Sequence, residues 1–119
     1  MDYKIKSFLK SAYGREPYTE EVEGYLRPLH LRNTYLTLSS LFRKYSSDKE
    51  LSDKLDKIRV PVLCLWGSGD EWIPASKGKE LIQKIPDAKL YLIDEAGHCP
   101  METHPDTFNR YLIRFLERN

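Results

Sequence analysis

Only two cysteines, Cys64 and Cys99, occur among the 119 residues, too few for the disulfide framework of a small secreted domain. Cys64 stands inside an apolar run and reads as a small buried hydrophobe. No apolar run approaches the roughly 18 residues that a bilayer-spanning helix needs. The first residues, MDYKIKSFLKSAYGREP, hold neither the long apolar core nor the small-residue cleavage site of a signal peptide. An excess of charge of one sign is missing too: 19 basic residues meet 18 acidic ones, for a net charge of +1. Interspersed charge sets up no field for nucleic acid or for an anionic membrane, so neither is expected as a partner. These absences leave an expectation of a soluble, cytoplasmic protein of a reducing compartment. What is present is modest, with 40% apolar and 31% charged residues. That suffices for a small core, in one domain or a piece of one.

The chain changes style near Ile58. Residues 1–57 read as a helical segment. Ile5, Phe8, Leu9 and Ala12 follow the i, i+3, i+4, i+7 spacing of an amphipathic helix. Thr19 is the expected N-cap of a second helix, with Glu20 and Glu21 in its first turn, where the helix dipole favours acids. Pro28 is expected to interrupt it. Leu31, Tyr35, Leu38, Phe42 and Tyr45 mark a third helix with an aromatic-rich stripe, which reads as core that can also roof a cleft. Ser47-Asp48-Lys49-Glu50 is a capping box for a fourth, with Leu51 and Leu55 on one face.

Residues 58–119 read as α/β. The run Val60-Pro61-Val62-Leu63-Cys64-Leu65-Trp66 has strand length and suits a strand buried on both faces, with Pro61 tolerated near its start. Gly67-Ser68-Gly69-Asp70 is a turn. A helix from about Pro74 carries Leu81, Ile82 and Ile85 and stops at Pro86-Asp87. Lys89 to Ile93 is a second strand, so a parallel βαβ unit is expected. A last helix starts near Pro105 with Phe108, Tyr111, Leu112, Phe115 and Leu116 as its apolar stripe.

In such a unit both strands point the same way, and the residues that follow them share one rim of the sheet, where open α/β sheets place ligands. Asp70 follows the first strand and His98 the second. A carboxylate and an imidazole converging there are what an orienting acid and a general base require: the acid fixes the ring tautomer and the other nitrogen takes a proton. Glu71 and Asp94 are rival acids, and Asp70 could instead cap the following helix. His98 could be an ordinary loop residue behind Gly97, a glycine that would let the loop turn tightly. His98, Cys99, Glu102 and His104 are all zinc-ligand types, but their spacing fits no short zinc motif, so no metal is expected. A Cys99–His98 pair is disfavoured because adjacent residues rarely bring their side chains together. Glu102 is expected to hold backbone N–H groups of the histidine loop. Trp72 either lines a substrate cleft or packs beneath the helices.

Taken jointly, these residues carry a resemblance. Leu55-x-x-Ile58-x-Val60-Pro61-Val62, Gly67-x-x-Asp70-x-x-Ile73-Pro74, Ile85-Pro86-x-Ala88, Gly97-His98-x-x-x-Glu102-x-x-Pro105 and Phe108 to Phe115-Leu116 resemble the C-terminal part of a capped α/β-hydrolase, of the esterase, carbon–carbon-bond hydrolase and peptidase type. The resemblance implies a partial α/β-hydrolase fold: a helical cap segment over 1–57, then a βαβα part of the core over 58–119. It implies Asp70 as triad acid and His98 as triad base, with no cofactor. The departure is the nucleophile. The family's Gly-x-Ser-x-Gly elbow is absent, and Gly67-Ser68-Gly69 lacks its spacing. The expected function is therefore the acid and base of a Ser-His-Asp triad, hydrolysing a small ester, amide or related acyl substrate with a serine from elsewhere. The competing expectation is a catalytically inactive, truncated hydrolase-like binding or assembly module. A two-stranded sheet leaves an apolar edge open, so a partner is expected, either a second copy or a separately supplied N-terminal half.

Overall fold

The computed structural model describes residues 2–44 and 53–119. Three helices come first: α1 (Asp2–Tyr13), α2 (Thr19–Leu29) and α3 (Thr34–Lys44). A single 3-10 turn, Leu55–Lys57, leads to β1 (Val62–Gly67), α4 (Ala75–Ile82), β2 (Ala88–Ile93), a one-turn α5 (Pro100–Thr103) and α6 (Pro105–Leu116). The capping box at Ser47-Asp48-Lys49-Glu50, with Tyr45 and Leu51, lies outside the described residues, as do the side chains of Tyr35 and Phe42.

The expected stripe of α1 is the centre of the core except for Phe8, which is exposed. Leu9, Ala12 and Tyr13 are buried together, with Ile5, Val22 and Cys99 packed against them. Gly14 ends the helix at φ +70°, a left-handed conformation that glycine adopts without steric cost, and its N–H bonds the Lys10 carbonyl. Helix α2 is capped one residue earlier than expected. The Tyr18 N–H donates to Glu21 Oε2 at 2.7 Å, and the same carboxylate receives both guanidinium nitrogens of Arg15. Pro28 does not split α2 but lies in its last turn, one residue before the helix ends at Leu29, so it closes the helix instead of interrupting it. The stripe of α3 is not core in its described part. Leu31 precedes the helix and is exposed, and Leu38, the one stripe residue of α3 whose side chain is described, is half-buried, while Leu36 and Leu41, outside the stripe, are exposed.

The two strands are parallel neighbours, paired from Val62 opposite Ala88 to Gly67 opposite Ile93. β1 starts after Pro61 rather than at Val60, which is exposed. Its residues are half-buried up to Gly67, not buried on both faces as expected. Among the described residues β1 has a strand neighbour on one side only. Val62 and Ser68 direct their N–H groups at β2. The two-residue alternation of a strand therefore turns the backbone groups of Leu63 and Leu65 to the open side. Trp66 fills the space under α4, donating Nε1–H to the Ile73 carbonyl, and a Cβ added to Gly78 would lie 2.9 Å from its ring. Tyr91 and Tyr111 stack at 4.7 Å to hold α6 on β2.

Candidate active site

The loops after β1 and β2 interlock before they present any side chain. Ser68 N–H bonds the Ile93 carbonyl, Gly69 N–H the Ala96 carbonyl, and Glu95 N–H the Ser68 hydroxyl. The backbones come so close that a Cβ on Gly67 would sit 2.0 Å from the Gly97 carbonyl oxygen. Gly97 is required for a related reason, and not for the turn expected of it. Its own Cβ would meet the Ala12 carbonyl oxygen at 2.6 Å and the Tyr13 carbonyl carbon at 2.7 Å. The glycine lets the histidine loop lie directly on the end of α1, and the His98 N–H donates to the Ala12 carbonyl at 2.6 Å.

On this frame Asp70 and His98 meet. Asp70 Oδ2 lies 2.9 Å from His98 Nδ1. The carboxylate's other oxygen, Oδ1, accepts the N–H groups of Trp72 at 3.0 Å and Ile73 at 2.9 Å. Asp70 thus both holds its own turn ahead of α4 and holds the imidazole. Glu71 and Asp94 are exposed and do not meet the ring. Asp70 is 8% exposed. Burial alone would push its carboxyl up, but the hydrogen bonds from Ile73, His98 and Trp72 outweigh that and hold it below its ordinary value. With a carboxylate against it, Nδ1 carries the proton, and Nε2 has no hydrogen-bond partner among the described residues. The His98 side chain keeps 31% of its surface. It borders a cleft of about 170 Å³ together with Leu65, Trp66, Asp70, Ile73 and Met101.

Trp72 is placed beside His98, tilted 34° over its ring at 4.9 Å. Its far side meets the edge of Phe8, and its Nε1–H donates to Ser11 Oγ at 2.7 Å. It ties α1 to the imidazole and is not among the residues lining the cleft. Glu102 does not serve the loop's N–H groups; the Cys99 carbonyl takes those of Glu102 and Thr103. Glu102 instead accepts the hydroxyls of Tyr13 and, at 2.7 Å, Tyr25. Cys99 packs against the α1 core, and burial, then the charges of Glu102 and Asp70, push its thiol up, away from a nucleophilic thiolate. His104 Nδ1 pairs with the Thr103 hydroxyl. Among the described residues no three His, Cys, Asp or Glu side chains converge as metal ligands.

Tyr13 and Tyr25 are the residues that sequence reasoning passed over. Tyr13 extends the α1 stripe four residues beyond Leu9 and stands just before the helix-ending Gly14, which is the one local sign of its burial.

Comparison with known proteins identifies the fold family. The profile of the alpha/beta hydrolase fold family matches residues 28–105. The chain is similar to an uncharacterized hydrolase, YugF, of Bacillus subtilis, with 26% identity over 95% of this chain and 41% of that protein. It is also similar to the 2-hydroxy-6-oxo-6-phenylhexa-2,4-dienoate hydrolase of Burkholderia cepacia, with 33% identity over 75% of this chain and 30% of that enzyme. Among solved structures, the hydrolase of the same name from Rhodococcus sp. strain RHA1 superposes with a TM-score of 0.80 at 16% identity, over 98% of this chain and 44% of that one. The chain therefore spans less than half the length of each of these proteins.

Proposed function

The chain belongs to the alpha/beta hydrolase fold family, and on that premise we propose that it supplies the general base and the orienting acid of a serine hydrolase reaction. The observation that carries this reading is the 2.9 Å contact of Asp70 Oδ2 with His98 Nδ1, which leaves Nε2 unpartnered beside a cleft. His98 Nε2 takes the proton of a serine hydroxyl as its oxygen attacks the substrate carbonyl carbon. Asp70 stabilises the resulting imidazolium. Nε2 then gives that proton to the leaving group, and in a second round deprotonates the water that releases the acyl product. The substrate class is an acyl compound of modest size: an ester, an amide, or an oxo-dienoate such as the one in the Burkholderia enzyme's name.

The serine comes from a segment outside these 119 residues, since none of the serines here stands in a Gly-x-Ser-x-Gly elbow. Ser68, the nearest in pattern, spends its hydroxyl on the Glu95 N–H at 3.1 Å. The place for that segment is the open edge of β1. An apolar groove of about 450 Å³ runs beside it, lined in part by Leu63, Phe108, Leu112 and Phe115. The groove shares Leu65, Trp66 and Met101 with the His98 cleft. A strand added there in parallel would end next to His98, so the loop after it can carry the nucleophile.

Offered a chromogenic short-chain ester, the chain alone and His98→Ala are expected to give the same background rate. Joined to the part of the Bacillus hydrolase that it does not match, the chain should give a hybrid that turns the ester over, and His98→Ala should cost that hybrid about 10⁴-fold. A folded hybrid whose turnover ignores His98→Ala refutes the base assignment. A second reading, a binding or assembly module without activity, rests on the missing elbow alone. His98-dependent turnover in the hybrid excludes it.

A further inference from the structure

We propose that Glu102 is a positioning residue for His98, whose carboxylate clamps α1 and α2 to the turn that carries the imidazole. This inference rests on the reading of His98 as a base, but its geometry is independent of any reaction.

The contacts close a ring. The His98 N–H donates to the carbonyl of Ala12 at 2.6 Å. The next residue along α1 is Tyr13, 1% exposed, and its hydroxyl donates to Glu102 Oε2. Glu102 stands in the single turn of α5, whose N–H groups at Glu102 and Thr103 both bond the carbonyl of Cys99, the residue after His98. Pro100 stiffens the remaining step. The other carboxylate oxygen accepts the hydroxyl of Tyr25 at 2.7 Å, so α2 is drawn into the same clamp. Two phenols on one carboxylate form charge-assisted bonds, which are stronger than neutral ones; the Tyr13 bond is partly buried and the Tyr25 bond exposed. Desolvation, then Glu102, push the Tyr13 hydroxyl far above its ordinary value, and Glu102, then desolvation, push that of Tyr25 up to about 12. Both phenols therefore stay donors across the working pH range.

The clamp has a functional meaning because His98 has few other restraints. Its ring is held by Asp70 on one nitrogen and by the tilted face of Trp72, which is itself fixed to α1 through Ser11 and Phe8. Of the three contacts that hold His98, two, the Ala12 carbonyl on its backbone N–H and Trp72 on its ring, thus belong to or lean on α1. Glu102 holds α1 in place for both. Helix α1, with α2 drawn in through Tyr25, is thus a fixture of the base, and any opening of the cleft must leave α1 where it is.

The test is amide hydrogen exchange on the full chain. In the wild type the His98 amide is expected to be protected. In Glu102→Ala its exchange should speed up by about 10- to 100-fold, a local opening. The Ser68 amide, bonded to Ile93 in the strand frame, should keep its rate. The downfield Nδ1 proton of His98 should broaden in the same variant, and Glu102→Gln, which can still bond both phenols, should restore most of both signals. Tyr13→Phe removes one hydroxyl with almost no change of volume and should give an intermediate acceleration, which keeps the test usable if Glu102→Ala folds poorly. Equal acceleration at His98 and Ser68 marks global destabilisation and overturns the proposal. So does an unchanged His98 amide in Tyr13→Phe. Neither result touches the base assignment, which is judged by turnover.

Discussion

At the residue scale the molecule turns on one carboxylate with two duties. Asp70 binds the N–H groups of its own turn through Oδ1 and the imidazole through Oδ2. Asp70→Asn keeps the shape but offers an amide where the ring needs an acceptor, so the wrong histidine tautomer is favoured. In the hybrid enzyme it should cost about 10³- to 10⁴-fold in kcat, with little change in KM. The same carboxyl makes stability depend on pH. Its value in the fold lies below the ordinary 3.8, so the folded state favours the ionised form. The stabilisation is complete above the unfolded-state value and is lost as pH falls through the folded-state one. Urea titrations should therefore show wild type and Asp70→Asn separated at pH 7 and converging only on the acid side of the ordinary carboxyl value, as pH falls through the lowered folded-state one. Asp70 and His98 were legible in the sequence because each follows a strand-length run at a short, readable interval. Glu102 was legible as a residue and not as a role. Its partners Tyr13 and Tyr25 stand 89 and 77 positions away, and no local pattern reports a contact across that distance.

At the element scale the decisive feature is how closely three backbones approach. The loop after β1, the loop after β2 and the end of α1 touch through Gly67, Gly97 and the Ala12–Tyr13 peptide. Gly67→Ala places a methyl 2.0 Å from a backbone oxygen, and Gly97→Ala places one 2.6 Å from another. Backbone cannot swing aside as a side chain can, so each should cost about 1–3 kcal/mol or more in thermal unfolding, Gly67→Ala the more. An equal melting temperature for Gly67→Ala and wild type counts against this packing. The elements themselves were largely readable. The period-3.6 stripes of α1 and α6 and the apolar runs of both strands stand out against charged surroundings. The errors came where two signals compete. Pro28 reads as a break in mid-helix but falls at the end of α2, and Val60 is apolar but lies before Pro61, with pairing beginning only at Val62. The one-turn α5 is too short for any periodicity to announce.

At the scale of the whole molecule, among the described residues the parallel pair has no further strand on either side, and the proposed neighbour belongs on the β1 side, where the apolar groove lies. Among the described residues the backbone groups of Leu63 and Leu65 on that side have no strand partner beside the apolar groove, and isolated two-stranded units are marginal. In sedimentation velocity the chain alone should self-associate in its folded form rather than run as a single monomer, and a nucleophile-bearing complement should convert it to a single one-to-one species with a higher melting temperature. A well-folded monomer whose melting temperature the complement leaves unchanged contradicts this. The whole of the proposed chemistry rests on which nitrogen of His98 carries the proton. The most direct test is the 15N spectrum of the His98 ring in the wild-type chain and in Asp70→Asn, at a pH where the imidazole is neutral. The expected result is a protonated Nδ1 and a bare Nε2 in the wild type, lost or mixed in the variant. A protonated Nε2 in the wild type, or the same spectrum in both, contradicts the assignment of His98 as a base oriented by Asp70.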